Sequence, residues 1–413
     1  MTRLRIEFMI VLAVWTTATT TSVATAQIAV RAKTVHTMAG APIDNGMIVI
    51  QDGKITAIGR ADQISVPQGF RVLEAAVATP GLIDAHSTVG FSGILNIPHD
   101  QDQLERSAPI QPELRAIDAY NAQEDLIEWI RSFGVTTIHA GHAPGELMSG
   151  QTLIAKTSGN TANVAVIAEA RAVAATIGPA AQKTTGKSPG TRGKTMSMLR
   201  TELIKAREYQ EKQRRAAAAG EKAEPVARDL RLETLGRVLS GEQPLMITTH
   251  RAQDISSALR LAKEFNIKIW LDGAAEAFLL IDDIKAAGVP VIVHPTMQRS
   301  IGDQENLSWE TASKLVAAGV PVALQSGFEA YVPKTRVVLF EAAVAAANGL
   351  SFHQALRTIT IDAAKILGIE NRVGSLELGK DGDVAIYDGD PFEYTSHCLG
   401  TVIQGRVVSE ITR

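Results

Sequence analysis

The chain has 413 residues, 45% hydrophobic and 21% charged, which is ordinary globular usage and excludes a disordered or collagen-like protein. It carries 41 Lys and Arg against 44 Asp and Glu, a net charge of −3, so nothing in the balance asks for nucleic acid or an anionic membrane as partner. One cysteine, Cys398, excludes an intramolecular disulfide, and a chain of this length can be stable on its core alone.

At the N-terminus Arg3 and Arg5 precede an apolar run from Phe8 to Trp15, and Ala24-Thr25-Ala26 follows. The run is too short to cross a bilayer of ~30 Å, which needs about 20 residues. A charged start, a short apolar run and a small-x-small site read as a secretory signal peptide over residues 1–26. The mature protein, beginning near Gln27, is therefore expected to be periplasmic or secreted, with no integral membrane segment.

Residues 27–78 alternate apolar and polar, and Asp52-Gly53 between two branched runs signals a hairpin. From 79 to 368 the texture changes. Short branched runs, which predict strands buried on both faces over 135–138, 245–249, 267–271, 289–293 and 320–324, alternate with predicted helices over 254–264, 276–287 and 308–318. Ala286-Ala287-Gly288-Val289-Pro290-Val291 and Ala317-Ala318-Gly319-Val320-Pro321-Val322 are near-repeats in which a helix ends at glycine and proline opens a strand. Residues 369–413 revert to strands, the last pair meeting at Gln404-Gly405. A β-rich start and end around an α/β middle suggest one small β domain built from 27–78 and 369–413. Residues 183–231 hold 13 Lys and Arg against 6 Asp and Glu, around a predicted helix over 198–219. That stretch is either a basic patch for an acidic partner or a solvated helix inserted in a loop.

Two strings carry more. Thr79-Pro80-Gly81-Leu82-Ile83-Asp84-Ala85-His86 resembles the end of the first barrel strand in the amidohydrolase superfamily, and Gly374-Ser375-Leu376-Glu377-Leu378-Gly379-Lys380-Asp381-Gly382-Asp383-Val384 resembles its return to the flanking β domain. Residues 359–368 are similar to the imidazolonepropionase-related and prolidase-like branch. The resemblance implies an α/β fold, a (β/α)8 TIM-type barrel over 79–368 with a β-sandwich domain from both termini. It also implies a divalent metal centre, zinc by preference, at the C-terminal strand ends, where the ion activates a water and polarises a carbonyl.

On this chain the resemblance maps metal ligands onto His86, His250 and, at a bridging position, Lys156. The family pattern is incomplete. His86 is followed by Ser87-Thr88 rather than a second histidine, Asp272-Gly273 stands where a strand-six histidine is expected, and Gly327 replaces the strand-eight aspartate. Asp272 and His294 are the candidates for proton transfer or supplementary ligation. His139, His142 and His294 also sit at predicted strand ends. They either line the substrate site or are hydrogen-bonded polar residues of a cavity wall. The polar segment 91–120 is a candidate lid, with Arg106 and Arg115 placed to select polar substrate groups, or else a solvated loop packed on the barrel mouth. No Gly-x-Ser-x-Gly elbow and no Gly-x-Gly-x-x-Gly after a strand occur.

The expectation is a metal-dependent hydrolase acting on the C–N bond of a small molecule. The alternative is a barrel that has lost hydrolysis and binds a small molecule or partner, which the loss at Gly327 favours.

Overall fold

The computed structural model describes residues 27–95, 97–183, 188–220, 224–328 and 337–413. The expected signal peptide lies outside the described residues. In chain order the strands are β1 (Gln27–Val35), β2 (Ile43–Gln51), β3 (Lys54–Arg60), β4 (Arg71–Pro80), β5 (Leu82–Ser87), β6 (Val135–Ala140), β7 (Met148–Gln151), β8 (Leu153–Lys156) and β9 (Val166–Ala168). They continue with β10 (Val173–Thr176), β11 (Leu245–Thr249), β12 (Ile269–Gly273), β13 (Val291–Val293), β14 (Val322–Leu324), β15 (Val384–Tyr387), β16 (Cys398–Ile403) and β17 (Arg406–Ser409).

Both ends of the described chain meet in one seven-stranded sheet of order β17-β16-β15-β4-β1-β2-β3. Its centre is β4, parallel to β1 and antiparallel to β15. Val30, Ile48, Ile50, Ile55, Val384 and Val402 pack one of its faces. The two hairpins turn where the sequence signals them. Asp52 and Gly53 take φ of 53° and 80°, and Gln404 and Gly405 take 47° and 69°. Left-handed conformation at both central residues matches a two-residue turn to the twist of its strands.

The middle of the chain forms two further sheets, β14-β13-β12-β11-β10-β7 and β5-β6-β8-β9. They meet on one side where Ser87 bridges Gly327 in parallel, with Gly327 N donating to His86 O at 3.2 Å. On the other side Thr152 N donates to Ala172 O and Arg171 N to Thr152 O. β10 to β14 run parallel, as do β5 and β6, and every residue of β6 and β11 is buried. One part of the wall departs from an all-parallel barrel: β8 is antiparallel to β6, and β7 to β10. The chain passes from β6 to β7 and β8 with no crossover helix between them, and only a helix-length crossover can bring a strand back parallel.

Around these sheets lie the helices. Ala252–Phe265 buries Ile255, Ala258, Leu261 and Phe265, one face at helical spacing, and ends at Asn266 in left-handed conformation. The predicted helix over 276–287 is a 3-10 turn at Ala277–Leu279 followed by Ile281–Ala287, and that over 308–318 is Thr311–Ala317. The basic stretch forms the long helix Arg192–Ala219, capped by Thr191. It buries Met196, Leu199, Leu203 and Ala206 and contacts the helices Leu230–Leu239 and Ala252–Phe265. Its outer charges pair along the helix, Arg215 with Glu211, and across to a neighbour, Arg200 with Glu264, which is a solvated helix. Ile110 and Arg115 of the segment after β5 bridge Met148 and Gln151 of β7, packing that segment along the strand edge. Among the described residues no helix is long and apolar enough to cross a membrane.

Candidate active site at the strand ends

His86 is the penultimate residue of β5 and Asp272 of β12. Far apart in sequence, they meet in the interior: His86 Nδ1 lies 2.9 Å from Asp272 Oδ1, and both side chains are almost wholly buried. Asp272 is held from every direction. Its Oδ1 also accepts from Gln325 Nε2 at 2.9 Å, and its Oδ2 accepts from Thr248 Oγ1 at 2.5 Å. Gln325, just past β14, donates as well to Ile292 O at 3.1 Å. Below the pair, Asp84 Oδ1 accepts from the backbone N–H of His86 and of Ser326, and burial lifts this carboxyl to about 6. Burial by itself lowers the His86 imidazole, but the Asp272 charge and hydrogen bond outweigh it and hold His86 above its ordinary value. Burial likewise favours neutral Asp272, and His86 outweighs that too, holding the carboxyl below its ordinary value. Each partner thus favours the charged form of the other. His86 Nε2 is buried and makes no hydrogen bond, and the nearby His142 backbone adds to the groups that favour the charged ring.

Two more histidines follow neighbouring strands. His250, after β11, has its Nε2 at 2.9 Å from Gln304 Nε2, and its Nδ1 is buried without a partner. Burial lowers its pKa, partly offset by Asp303 and Asp272. His294, after β13, has its Nδ1 2.9 Å from Pro295 O, which fixes a proton there, and its buried Nε2 makes no hydrogen bond. Burial brings His294 down to about 4. The backbone ties this row together, with His294 N donating to Gly273 O and Ala274 N to Thr249 O. His142 is also buried, with an unpartnered Nε2, and is pulled down to about 4 by burial and by the nearby His86 charge.

The other expected residues lie elsewhere. Lys156 sits at the end of β8, which runs against the parallel strands, so its side chain goes to the opposite end of the wall. There it is buried against Asp381, at 3.1 Å, and Asp383. It does not join the histidines and cannot bridge ions among them. His139 spends both ring nitrogens inside the core, on Ala85 O and Thr152 Oγ1 at 2.7 Å each, and packs edge-on against Trp270, leaving nothing for a substrate. Arg106 is exposed. Arg115 forms an exposed pair with Glu169 at 2.8 Å. Neither reaches His86.

The family implies a metal centre, and the residues present do not fit one. Among the described residues no three His, Cys, Asp or Glu side chains stand where they could hold an ion. Asp272 is already engaged by three donors, and Lys156 is committed to two aspartates. A protein-bound transition metal needs three or four converging donors.

Of the residues now seen at the site, Gln325 and Thr248 were readable only as polar residues near strand ends. Gln304 lies in the 3-10 turn Gly302–Gln304, with no sequence signal that it would reach His250.

A largely parallel α/β wall with polar side chains gathered at its C-terminal ends, beside a separate sheet drawn from both ends of the chain, is the architecture of an α/β enzyme with its site at the strand ends. The chain belongs to the amidohydrolase family, whose model matches residues 100–409. It is 24% identical over 376 residues to the amidohydrolase tasK of Hapsidospora irregularis, covering 84% of this chain but only 38% of that longer protein. It is 24% identical over 384 residues to the imidazolonepropionase of Fusobacterium nucleatum, covering 86% of this chain and 88% of the relative. Among solved structures it is similar to an amidohydrolase from Thermotoga maritima MSB8, with a TM-score of 0.87 and 26% identity over 93% of this chain and 100% of that one.

Proposed function

We propose that this protein is a hydrolase that cleaves an amide-type C–N bond of a small molecule, cyclic or dipeptide-like, and that it does so outside the cytoplasm. The observation that carries the reading is the buried His86–Asp272 pair at the strand ends, with His86 Nε2 left open. A carboxylate behind an imidazole fixes its tautomer and orientation and stabilises the imidazolium that forms when the ring takes a proton. Family membership and the imidazolonepropionase similarity support C–N hydrolysis as the reaction class. The signal-type residues 1–26 support export.

A second reading, binding without hydrolysis, is favoured by Gly327, which offers no base where the family has an aspartate. Amine or ammonia release from a panel of cyclic amides, acylated amines and dipeptides separates the two. We expect turnover by the wild type and a loss of about 10²–10⁴-fold in His86→Ala, the span general-base catalysis contributes. Binding of panel compounds without release of product would decide for the second reading. Cell fractionation with antibody detection tests export, and a protein confined to the cytoplasm would overturn it.

A further inference from the structure

A metal bound at such a site would supply two things, a hydroxide made from water and a pull on the electrons of the carbonyl oxygen. Here the neighbours have closed over the places where its ligands would stand. Gly327 has φ of 69°, and a Cβ there would lie 2.6 Å from Pro295 Cγ, so a carboxylate cannot return without displacing the proline. Gly273 has φ of 76°, and a Cβ there would lie 2.5 Å from His250 Cε1. The His250 ring fills the space that a side chain at 273 would need. The losses at 273 and 327 are therefore built into the packing.

The same packing leaves two nitrogens suited to these two roles. Asp272 accepts a hydrogen bond from His86 Nδ1–H, so the lone pair of the neutral ring is at Nε2, buried and without a hydrogen bond. At His250 the group 2.9 Å from Nε2 is an amide nitrogen, Gln304 Nε2, which can only donate. With the Gln304 amide in this orientation His250 Nε2 accepts, which puts the ring proton on Nδ1, also buried and without a hydrogen bond. An N–H fixed before the substrate arrives is the kind of donor that stabilises a developing oxyanion.

We propose that this site hydrolyses its substrate without a metal ion, His86 backed by Asp272 serving as the base and His250 Nδ1–H as the donor to the carbonyl oxygen. The proposal rests on the C–N hydrolase reading above. Water gives one proton to His86 Nε2 while its oxygen bonds to the carbonyl carbon, and the carbonyl π pair moves onto the oxygen facing His250. The pair then returns, the C–N bond breaks, and the leaving nitrogen takes the proton from His86 Nε2, giving a carboxylic acid and an amine.

The test uses the purified mature protein. Equilibrium dialysis against zinc and against manganese is expected to leave less than about 0.2 ion per chain, against the stoichiometric binding of a real site. Panel hydrolysis is expected to survive exhaustive chelation within about twofold, and His250→Phe to lower kcat by about 10²–10³-fold, as loss of one oxyanion donor does, with little change in KM. Stoichiometric zinc that disappears in both His86→Asn and His250→Phe would overturn the proposal whatever the activity. So would hydrolysis abolished by chelation and restored by zinc, which would leave the C–N hydrolase reading standing. Absence of hydrolysis across the whole panel would overturn that reading, and with it the roles of His86 as base and His250 as donor. Circular dichroism of both variants separates loss of a group from loss of the fold.

Discussion

Two buried carboxylates of this protein, Asp272 and Glu124, are pushed in opposite directions by what surrounds them. Asp272 is ionised because three donors converge on it. Glu124, just before the short helix Asp125–Arg131, has no such set. Its Oε2 accepts from Gly90 N, while Oε1 is buried and bare. Burial, with help from Asp100 and Asp125, lifts its carboxyl to about 7 from 4.5. A raised folded-state pKa means that the fold prefers the neutral acid. The favourable contribution is fully present below about pH 4.5 and is lost as pH climbs through 7. The shift corresponds to roughly 3 kcal/mol. Urea midpoints at pH 5 and pH 8 should therefore show the wild type losing stability across that window, and Glu124→Gln losing much less of it. Equal slopes in the two proteins would refute the assignment. His86 and His250 could be found by reading strand ends, because a strand end is a local signal. The partners that give them their roles could not. Asp272 comes 186 residues after His86, and only the wall of strands brings them to 2.9 Å.

Elements were legible where a local rule fixes them. Asp52-Gly53 and Gln404-Gly405 turn as written because the turn type depends on two residues. Gly288 and Gly319 end their helices with positive φ, as the near-repeats indicate. The direction of β7 and β8 was not legible, since four-residue runs read the same in either direction and the missing crossover helix is a property of the connection. Local rules also give the energetic expectation at this scale. Ser351 accepts from Gln354 N at 3.2 Å, and Gln354 Oε1 accepts from Ser351 N at 3.0 Å, a reciprocal cap on the helix Phe352–Thr358. Ser351→Ala should cost about 1 kcal/mol in chemical denaturation, and Ser351→Asp much less. No difference between the two would mean that the cap is idle.

At the scale of the whole molecule, Lys156 is a tie rather than a ligand. It joins β8 of the wall to Asp381 and Asp383, where the chain returns to the terminal sheet, and Lys54 and Arg372 reach Asp381 as well, each at 2.8 Å. Lys156→Met leaves the buried Asp383 carboxylate without its cation, while Asp381 keeps Lys54 and Arg372. Breaking a buried pair in this way costs about 3–5 kcal/mol, to be read as a lowered denaturant midpoint, while kcat per folded molecule stays at the wild-type value. A collapse of kcat in protein shown to be folded would return Lys156 to the active site. The resemblance placed Lys156 by the local string Ala155-Lys156-Thr157-Ser158-Gly159, and the reversed strand is what took it away.

The seven-stranded sheet has a consequence for how the molecule is made. Its central strand, β4, is finished early, yet the neighbour on one side is β15, some three hundred residues later. Synthesis runs from one end, so through most of translation β4 offers an unpaired edge to any extended chain that meets it. The terminal strands are the last part of the chain to appear and the part that closes this edge. A ribosome stalled before residue 384 would hold a nascent chain whose first sheet cannot be completed, and a chaperone that covers strand edges would have its longest period of work there.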